Sequence, residues 1–191
     1  FKAGDERIMR TVDFLMDRSM LEDGFFHDMT HSGVNPYLTL HLAQVLLRAG
    51  DRRYEPLVKR ISQLATPTGQ WPEAIHPATS GGCMGDGQHG WAAAEWVLMI
   101  RALFIREEPG KLIVGSGLFP EWLESESPLC YGPTATRFGD VAVEIDPAGR
   151  KPKARVQGRW HDSRPDVIID MPSRKSWQLD VQDIAGTRPS G

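Results

Sequence analysis

The sequence predicts a mainly α-helical fold that is followed by a β-rich portion. An amphipathic helix pattern, a long loop, an apolar helix pattern and a short turn follow one another twice within residues 1–108. After Pro109 and Gly110 the helical periodicity ends, and short β-prone runs separated by turn residues replace it. We therefore expect two outer–inner helical hairpins over residues 1–108, a β-rich segment over 109–172 and a polar, flexible tail over 173–191.

The first predicted hairpin begins with an amphipathic helix over residues 5–18, in which apolar residues recur at helical spacing. A long loop over residues 19–34 follows. The next helix starts with Asn35 as its N-cap and Pro36 at its first position, and it runs to Ala49. It is apolar nearly all round, which is typical of a buried helix.

The second predicted hairpin repeats this order. An amphipathic helix over residues 54–65 leads into a long loop over 66–87, and an apolar helix over 88–106 follows. Since successive helices alternate in direction, we expect both long loops at the same end, each leading into a buried helix. Long loops on a rigid scaffold commonly carry function.

The β-rich segment is predicted from four short runs of β-branched and other apolar residues. Gly, Pro and Asp separate these runs, as they do in turns. We expect strands of a β-sandwich or sheet at residues 111–114, 129–131, 141–145 and 167–169.

Composition excludes several classes of protein. Of the 191 residues, 40% are hydrophobic and 25% charged, and the net charge of −3 is spread along the chain without a basic stripe. We therefore expect no nucleic-acid partner and no membrane span. Cys83 and Cys130 lack metal-ligand spacing, so we expect two reduced thiols and a cytoplasmic protein. Because the chain starts at Phe1 and enters a helix almost at once, we expect it to be a piece of a longer protein.

The most distinctive stretch for chemistry lies at residues 68–91, where six glycines surround carboxylates, aromatic rings and imidazoles. Glycosidic cleavage needs a pair of carboxylates that flank the scissile bond. Glu73, which follows a Trp-Pro pair, is the candidate for one of them; an ordinary exposed loop glutamate is the alternative. Asp86 either binds substrate or caps the fourth helix. The candidate substrate-binding residues in this stretch are Trp71, His76, Asp86, His89 and Trp91.

The first long loop adds His27, Asp28 and His31. Imidazole and carboxylate are common metal ligands. No fourth ligand or aligning spacing accompanies them, so we expect no metal and consider His27 and His31 as lining for a sugar site. His41 and Trp96 lie within apolar helix patterns, and both are predicted to be core residues.

Residues 69–73, the glycine-rich loop after them and the apolar helix at 91–104 resemble the closing segment of the six-hairpin glycosidases. Bacterial glucoamylases and amylo-α-1,6-glucosidase-type debranching enzymes belong to this group. Residues 111–117, 120–122 and 136–141 look like the β segment that follows the barrel in related enzymes. The resemblance implies that residues 1–108 are the last hairpins of an (α/α)6 toroid and that Glu73 is the general base. It places the general acid on upstream hairpins, so the chain alone would be inactive.

The sequence leaves three functional hypotheses. The first is a glycoside hydrolase, or a related phosphorylase, that acts on α-linked glucosides of an oligosaccharide without a cofactor. Its partner would be the remainder of the toroid. The second is a non-catalytic toroid scaffold that binds carbohydrate. The third is an α-helical repeat protein that binds another protein.

Overall fold

The computed structural model describes residues 2–28, 32–85, 87–148, 151–173 and 176–184. The chain forms two compact units, Phe1–Ile100 and Arg101–Gly191. Within the described residues there are four helices and twelve strands arranged in three sheets. The fold is therefore mixed α/β, and the predicted mainly α fold of toroid hairpins is wrong.

The four predicted helices are present, each slightly shorter than expected at one or both ends. Their positions confirm that apolar periodicity locates these elements along the chain. The helices are α1 (Glu6–Arg18), α2 (Pro36–Arg48), α3 (Tyr54–Gln63) and α4 (Gly90–Phe104).

The two predicted long loops contain the strands that change the fold class. These are β1 (Met20–Leu21), β2 (Gly24–His27), β3 (Gly33–Val34), β4 (Ala74–Ile75) and β5 (Gly82–Met84). They form one five-stranded sheet in chain order, with antiparallel neighbours. Strands of two to four residues are too short to show a periodicity of two. Strand pairing gives hydrogen-bond partners to backbone N–H and C=O groups that would otherwise be buried without a partner.

Hydrogen bonds at the start of α2 fix this helix to the sheet. The side chain of Asn35 accepts from the N–H of Leu38 at 3.0 Å, which confirms Asn35 as the N-cap. The Thr39 hydroxyl donates to the Asn35 carbonyl at 2.7 Å and accepts from the Phe25 N–H of β2 at 2.8 Å. Both Asn35 and Thr39 are buried. The helix and the strand are therefore held in one position relative to each other.

The core of the first unit lies mainly on α2 and α3. α2 buries most of its residues, as its apolar composition predicts. The expectation that α4 is buried on all sides is wrong. Ala92 and Met99 are buried, whereas Val97 is 61% exposed and Leu98 47% exposed. Composition alone therefore does not determine how many faces of a helix are covered.

The second unit contains two sheets. Their strands are β6 (Ile105–Glu108), β7 (Lys111–Val114), β8 (Leu129–Thr136), β9 (Gly139–Asp146), β10 (Lys153–Trp160), β11 (Asp166–Ile169) and β12 (Gln178–Asp183). One sheet has the order β11-β7-β6, and the other has the order β12-β10-β9-β8. β10 and β12 are parallel, as are β7 and β11, while the remaining neighbours are antiparallel.

The four β-prone runs of the sequence all fall within strands of this unit, namely β7, β8, β9 and β11. β10 was not predicted, although its charged or polar residues alternate with buried ones, Ala154, Val156 and Gly158, in the period-two pattern of a half-buried strand. Two of these three buried residues are Ala and Gly, so the run is not rich in β-branched or aromatic residues. β12 replaces part of the tail that was expected to be flexible. Its residues are polar and mostly exposed, so it gives no hydrophobic signal.

Glu107 of β6 is the centre of a charge network in the second unit. Its carboxylate pairs with the guanidinium of Arg101. It also accepts from the backbone N–H of Arg137 at 2.9 Å and from its side-chain Nε at 3.1 Å. Burial raises the pKa of Glu107, but the hydrogen bonds from Arg101 and Arg137 outweigh it, so the pKa lies below its ordinary value. The carboxylate therefore stabilises the fold only while it is ionised.

We expect Glu107→Gln to lower the free energy of unfolding at neutral pH by about 1–3 kcal/mol, because charge-assisted hydrogen bonds are lost. A lowered folded-state pKa gives stability that is complete above the unfolded pKa, at about 4, and that is lost as the pH falls through the folded value. Urea unfolding at several pH values should therefore show the variant and the parent converging in acid. Glu126→Gln, at an exposed position in the same unit, is the control. A constant difference at all pH values would contradict the assignment.

We expect Thr39→Val to cost about 1–3 kcal/mol, since it leaves the Phe25 N–H without its hydrogen-bond partner. Valine has nearly the same shape, so little packing is lost. Thr11→Val on α1, where the hydroxyl donates to the Arg7 carbonyl at an exposed position, should change stability by no more than about 0.5 kcal/mol. Equal effects of the two substitutions on urea unfolding would show that the link between α2 and β2 is unimportant.

Candidate functional site

Glu73 lies directly before β4, in the segment that joins α3 to the five-stranded sheet. Its backbone N–H donates to the Met84 carbonyl at 3.1 Å. Gly85 packs against it with a φ of +80°, and a Cβ there would lie 3.3 Å from the Glu73 Cβ. The Glu73 side chain is 26% exposed. The backbone is thus held on one side by β5, while the carboxylate remains accessible to solvent.

Trp71 anchors this segment from inside the protein. It is 4% exposed, its indole N–H donates to the Ile61 carbonyl at 2.8 Å, and its ring lies 5.3 Å from that of Trp96. Both the ring and the N–H are therefore used within the fold. Trp71, which the sequence suggested for substrate binding, is buried and holds the segment that carries Glu73. Trp96, predicted to be a core residue, packs against Trp71 and is half-buried.

His89 joins the Glu73 segment to α4. Its backbone N–H donates to the Trp71 carbonyl at 2.8 Å, and its Nδ1 accepts from the N–H of Ala92 in the first turn of α4 at 3.3 Å. A neutral imidazole that accepts at Nδ1 carries its proton on Nε2. That Nε2 lies 3.9 Å from the Glu73 carboxylate. His89 thereby caps α4 through Nδ1 and places Nε2 near Glu73.

Two stacked aromatic rings adjoin His89. The rings of Tyr37 and Trp91 are nearly parallel, with centroids 4.4 Å apart and an interplanar angle of 13°. The Tyr37 ring also lies 5.4 Å from the ring of His89. Tyr37 is 8% exposed, whereas Trp91 is 54% exposed. The structure therefore brings Glu73, His89 and Trp91, three of the predicted site residues, into one connected group, and Tyr37 connects them.

His41, predicted to be a core residue, has a side chain that is 41% exposed. Its Nε2 lies 3.1 Å from the Glu95 carboxylate, which also accepts from the Gln44 side chain at 2.7 Å. The core prediction for His41 is wrong, and the sequence analysis missed Glu95 altogether. A sequence pattern could have pointed to this pair: His41 and Glu95 are polar residues that follow Tyr37 and Trp91 by four positions, one helical turn, and so share a helix face with these aromatic residues.

The other predicted site residues lie elsewhere or outside the described residues. His76 is exposed at the turn after β4, where its Nδ1 accepts from the Ala78 N–H at 3.2 Å. His27 ends β2, is paired with Gly33 of β3 and has its ring 6.5 Å from that of Phe25. His31 and Asp86 fall outside the described residues.

Among the described side chains, no group of three His, Cys, Asp or Glu residues is arranged to hold a metal ion. No described helix combines the length and hydropathy needed to cross a bilayer.

A cavity of about 480 Å³ in the second unit is lined by charged residues of β9, β10 and β12. There Arg155 is held by Glu144 at 2.7 Å and by Asp180 at 3.6 Å, so its charge is used within the sheet.

The sheet that carries Glu73 depends on close packing at Gly33. A Cβ at this position would lie 2.8 Å from both the Cys83 Sγ and the Ile75 carbonyl oxygen. We expect Gly33→Ala to lower the free energy of unfolding by about 1–3 kcal/mol, because β3 and β4 must separate. Gly90→Ala, where a Cβ meets nothing within 4 Å, should be neutral or slightly stabilising. Urea unfolding of both variants tests this, and equal stabilities would rule out the tight contact.

No protein-family model matches the chain, and neither the curated proteins nor the solved structures yield a match. The resemblance to six-hairpin glycosidases therefore stays a prediction from sequence motifs, and the toroid that it implies is contradicted by the mixed α/β fold. The group formed by Glu73, His89, Tyr37 and Trp91 is the strongest structural indication of function in the first unit.

Proposed function

We propose that this chain contributes the general base, Glu73, to a site that hydrolyses glucosidic bonds in an oligosaccharide. The observation that carries the proposal is the grouping of an accessible carboxylate with an open aromatic face. Glu73 is partly exposed beside the imidazole of His89, and Trp91 stacks on Tyr37 next to that imidazole. Glycosidases need both a carboxylate at the scissile bond and surfaces that hold sugar rings.

Hydrolysis of a glycosidic bond takes two carboxyl groups with different roles. The acid donates a proton to the departing oxygen. In an inverting reaction the base removes a proton from the water that attacks the anomeric carbon. We assign the second role to the Glu73 carboxylate and propose that the acid comes from a part of the protein upstream of this sequence. The two carboxyl groups would then be about 6.5–9.5 Å apart, which leaves space for the water.

His89 supports this role of Glu73 by its position. Its Nε2 lies 3.9 Å from the carboxylate, which is longer than a direct hydrogen bond. A water molecule that bridges the two groups would donate to Glu73 and accept from His89. Such a water would be oriented by the protein before the substrate arrives. His89 is itself fixed by its bonds to Trp71 and Ala92, so this orientation has little freedom.

The proposed substrate class is an α-linked glucoside, as the family resemblance implies. The ring C–H groups of glucose form apolar faces that pack against aromatic rings, while its hydroxyl groups require polar partners at the ring periphery. We also propose a cytoplasmic location, in keeping with Cys83 and Cys130, which are both free thiols in this structure. No cofactor is part of the proposed reaction.

The test is sugar release by the intact protein from a panel of α- and β-glucosides. We expect Glu73→Gln to lower kcat by about 10²–10⁴-fold, because glutamine cannot accept the proton from water. Glu6→Gln, an equivalent change on the exposed surface of α1, should leave kcat unchanged. Circular dichroism and urea unfolding verify that each variant keeps its fold.

A Glu73→Gln protein that cleaves as fast as the parent would show that Glu73 is an ordinary loop residue. If the parent protein binds oligosaccharides but cleaves none of them, the non-catalytic carbohydrate-binding function replaces hydrolysis. The open face of Trp91 is the observation that favours this second function.

A further inference from the structure

The facing surfaces of α2 and α4 carry a second polar group that the proposed reaction does not use. Tyr37, His41 and Gln44 follow one another along one side of α2, and Trp91 and Glu95 lie one turn apart on α4. The His41 ring is 5.9 Å from Tyr37 and 6.3 Å from Trp91, with steep interplanar angles of 76° and 63°. These five residues form one continuous patch, which we call the α2–α4 patch.

Trp91 presents one free face in this patch. Its ring is stacked on Tyr37 at 4.4 Å, so one face of the indole is covered. Since the residue is still 54% exposed, that exposure belongs to the opposite face and the edges. The buried Tyr37 ring supports the indole from below. A fixed, flat and solvent-facing aromatic surface suits a ring with an apolar face.

His41 presents a ring nitrogen at the edge of that surface. Its Nε2 lies 3.1 Å from the Glu95 carboxylate, so Nε2 carries a proton and donates it to that carboxylate. No partner for Nδ1 is found in the part of the chain that the structure describes. Because the His41 side chain is 41% exposed, Nδ1 can form a hydrogen bond with a ligand hydroxyl, which is both a donor and an acceptor.

Glu95 acts through His41 and does not face the ligand itself. Its side chain is 13% exposed. One carboxylate oxygen faces His41, and the other accepts from Gln44 at 2.7 Å. A carboxylate committed on both oxygens holds the imidazole in one orientation and one tautomer.

We propose that the α2–α4 patch is a binding subsite for one sugar residue. The apolar face of a pyranose stacks on Trp91, a ring hydroxyl hydrogen-bonds with Nδ1 of His41, and Glu95 and Gln44 are positioning residues. The assignment rests on the proposed function, because the Tyr37 ring links this patch to His89 and Glu73. The subsite would hold a neighbouring unit of the same oligosaccharide whose bond is cleaved at Glu73.

The test titrates the intact protein carrying Glu73→Gln with maltotriose and measures the dissociation constant by calorimetry. The Glu73→Gln background binds without cleaving. We expect Trp91→Ala to weaken binding about tenfold or more, and His41→Ala by about five- to tenfold. Phe14→Ala, which removes another exposed aromatic ring of the same unit, is the control and should have no effect.

A double-mutant cycle identifies the role of Glu95. Glu95→Leu should weaken binding as His41→Ala does, and the double variant should be no weaker than His41→Ala alone, because both changes remove one interaction. Glu95→Gln should restore much of the affinity, since its amide oxygen still accepts from His41. Additive losses would show that Glu95 contacts the sugar directly or acts only on stability, and would overturn its positioning role.

The outcomes separate this proposal from the one above. Binding that survives both His41→Ala and Trp91→Ala overturns the subsite, while the cleavage assay on Glu73→Gln still decides the catalytic proposal. If the protein with an unsubstituted α2–α4 patch does not bind maltotriose, the subsite for α-glucosides is also overturned. Weakened binding in both variants, with Phe14→Ala unchanged, supports the subsite whatever the effect of Glu73→Gln on cleavage.

Discussion

The pairing of Val34 with Ile75 joins two segments that are about forty residues apart in the chain. Both residues are 1% exposed, so their backbone groups are removed from water and need partners within the protein. Val34 is the last residue before the N-cap of α2, and Ile75 follows Glu73 by two. This one pairing therefore brings the carboxylate of Glu73 to the beginning of α2, where Tyr37 lies. The relative positions of Glu73, His89 and the stacked rings of Tyr37 and Trp91 depend on this pairing.

Several residues of the site serve the fold and the proposed chemistry at once. His89 caps α4 through Nδ1 and faces Glu73 through Nε2. Trp71 fills the core, and its carbonyl holds the backbone of His89. Gly85 allows β5 to approach Glu73, since its φ of +80° is open to glycine and unfavourable for other residues. Geometry at Glu73 is thus determined by hydrogen bonds and packing that the protein needs for folding.

The sequence predicted the helices and part of the second unit well because both depend on local periodicity. α1 to α4 have apolar residues at helical spacing, and β7 and β11 are short runs of β-branched residues. The five-stranded sheet was missed because its pairings join distant segments whose strands are only two to four residues long. No local sequence pattern indicates which distant strand each of them pairs with. The two segments predicted to be long loops instead form a sheet, and the fold is therefore mixed α/β and not mainly α.

The same limit applies to the candidate site. Glu73, His89 and Trp91 were found because carboxylates, imidazoles and aromatic rings cluster in one glycine-rich stretch. Trp71 belongs to that cluster, yet its indole is buried, because the stretch does not reveal which aromatic ring faces inward. His41 was assigned to the core because α2 is apolar around it. Only the approach of α4 shows that Glu95 lies beside it and that its ring reaches the surface.

β12 has a consequence for how the second unit avoids self-association. It pairs in parallel with β10 over six residues, from Lys153↔Gln178 to Gly158↔Asp183, and it buries almost none of its own side chains. Without it, β10 would present a row of unsatisfied amide and carbonyl groups at the sheet edge, ready to template a strand from another molecule. β12 is itself the edge strand of this sheet, and its side chains are polar and mostly exposed, Asp180 and Asp183 among them. Charged residues on an edge strand discourage the addition of a further strand. Loss of β12 would thus replace a polar edge strand by β10, whose alternate residues are buried and apolar or small, and would make the edge more prone to aggregation, although the hydrophobic core would lose almost nothing.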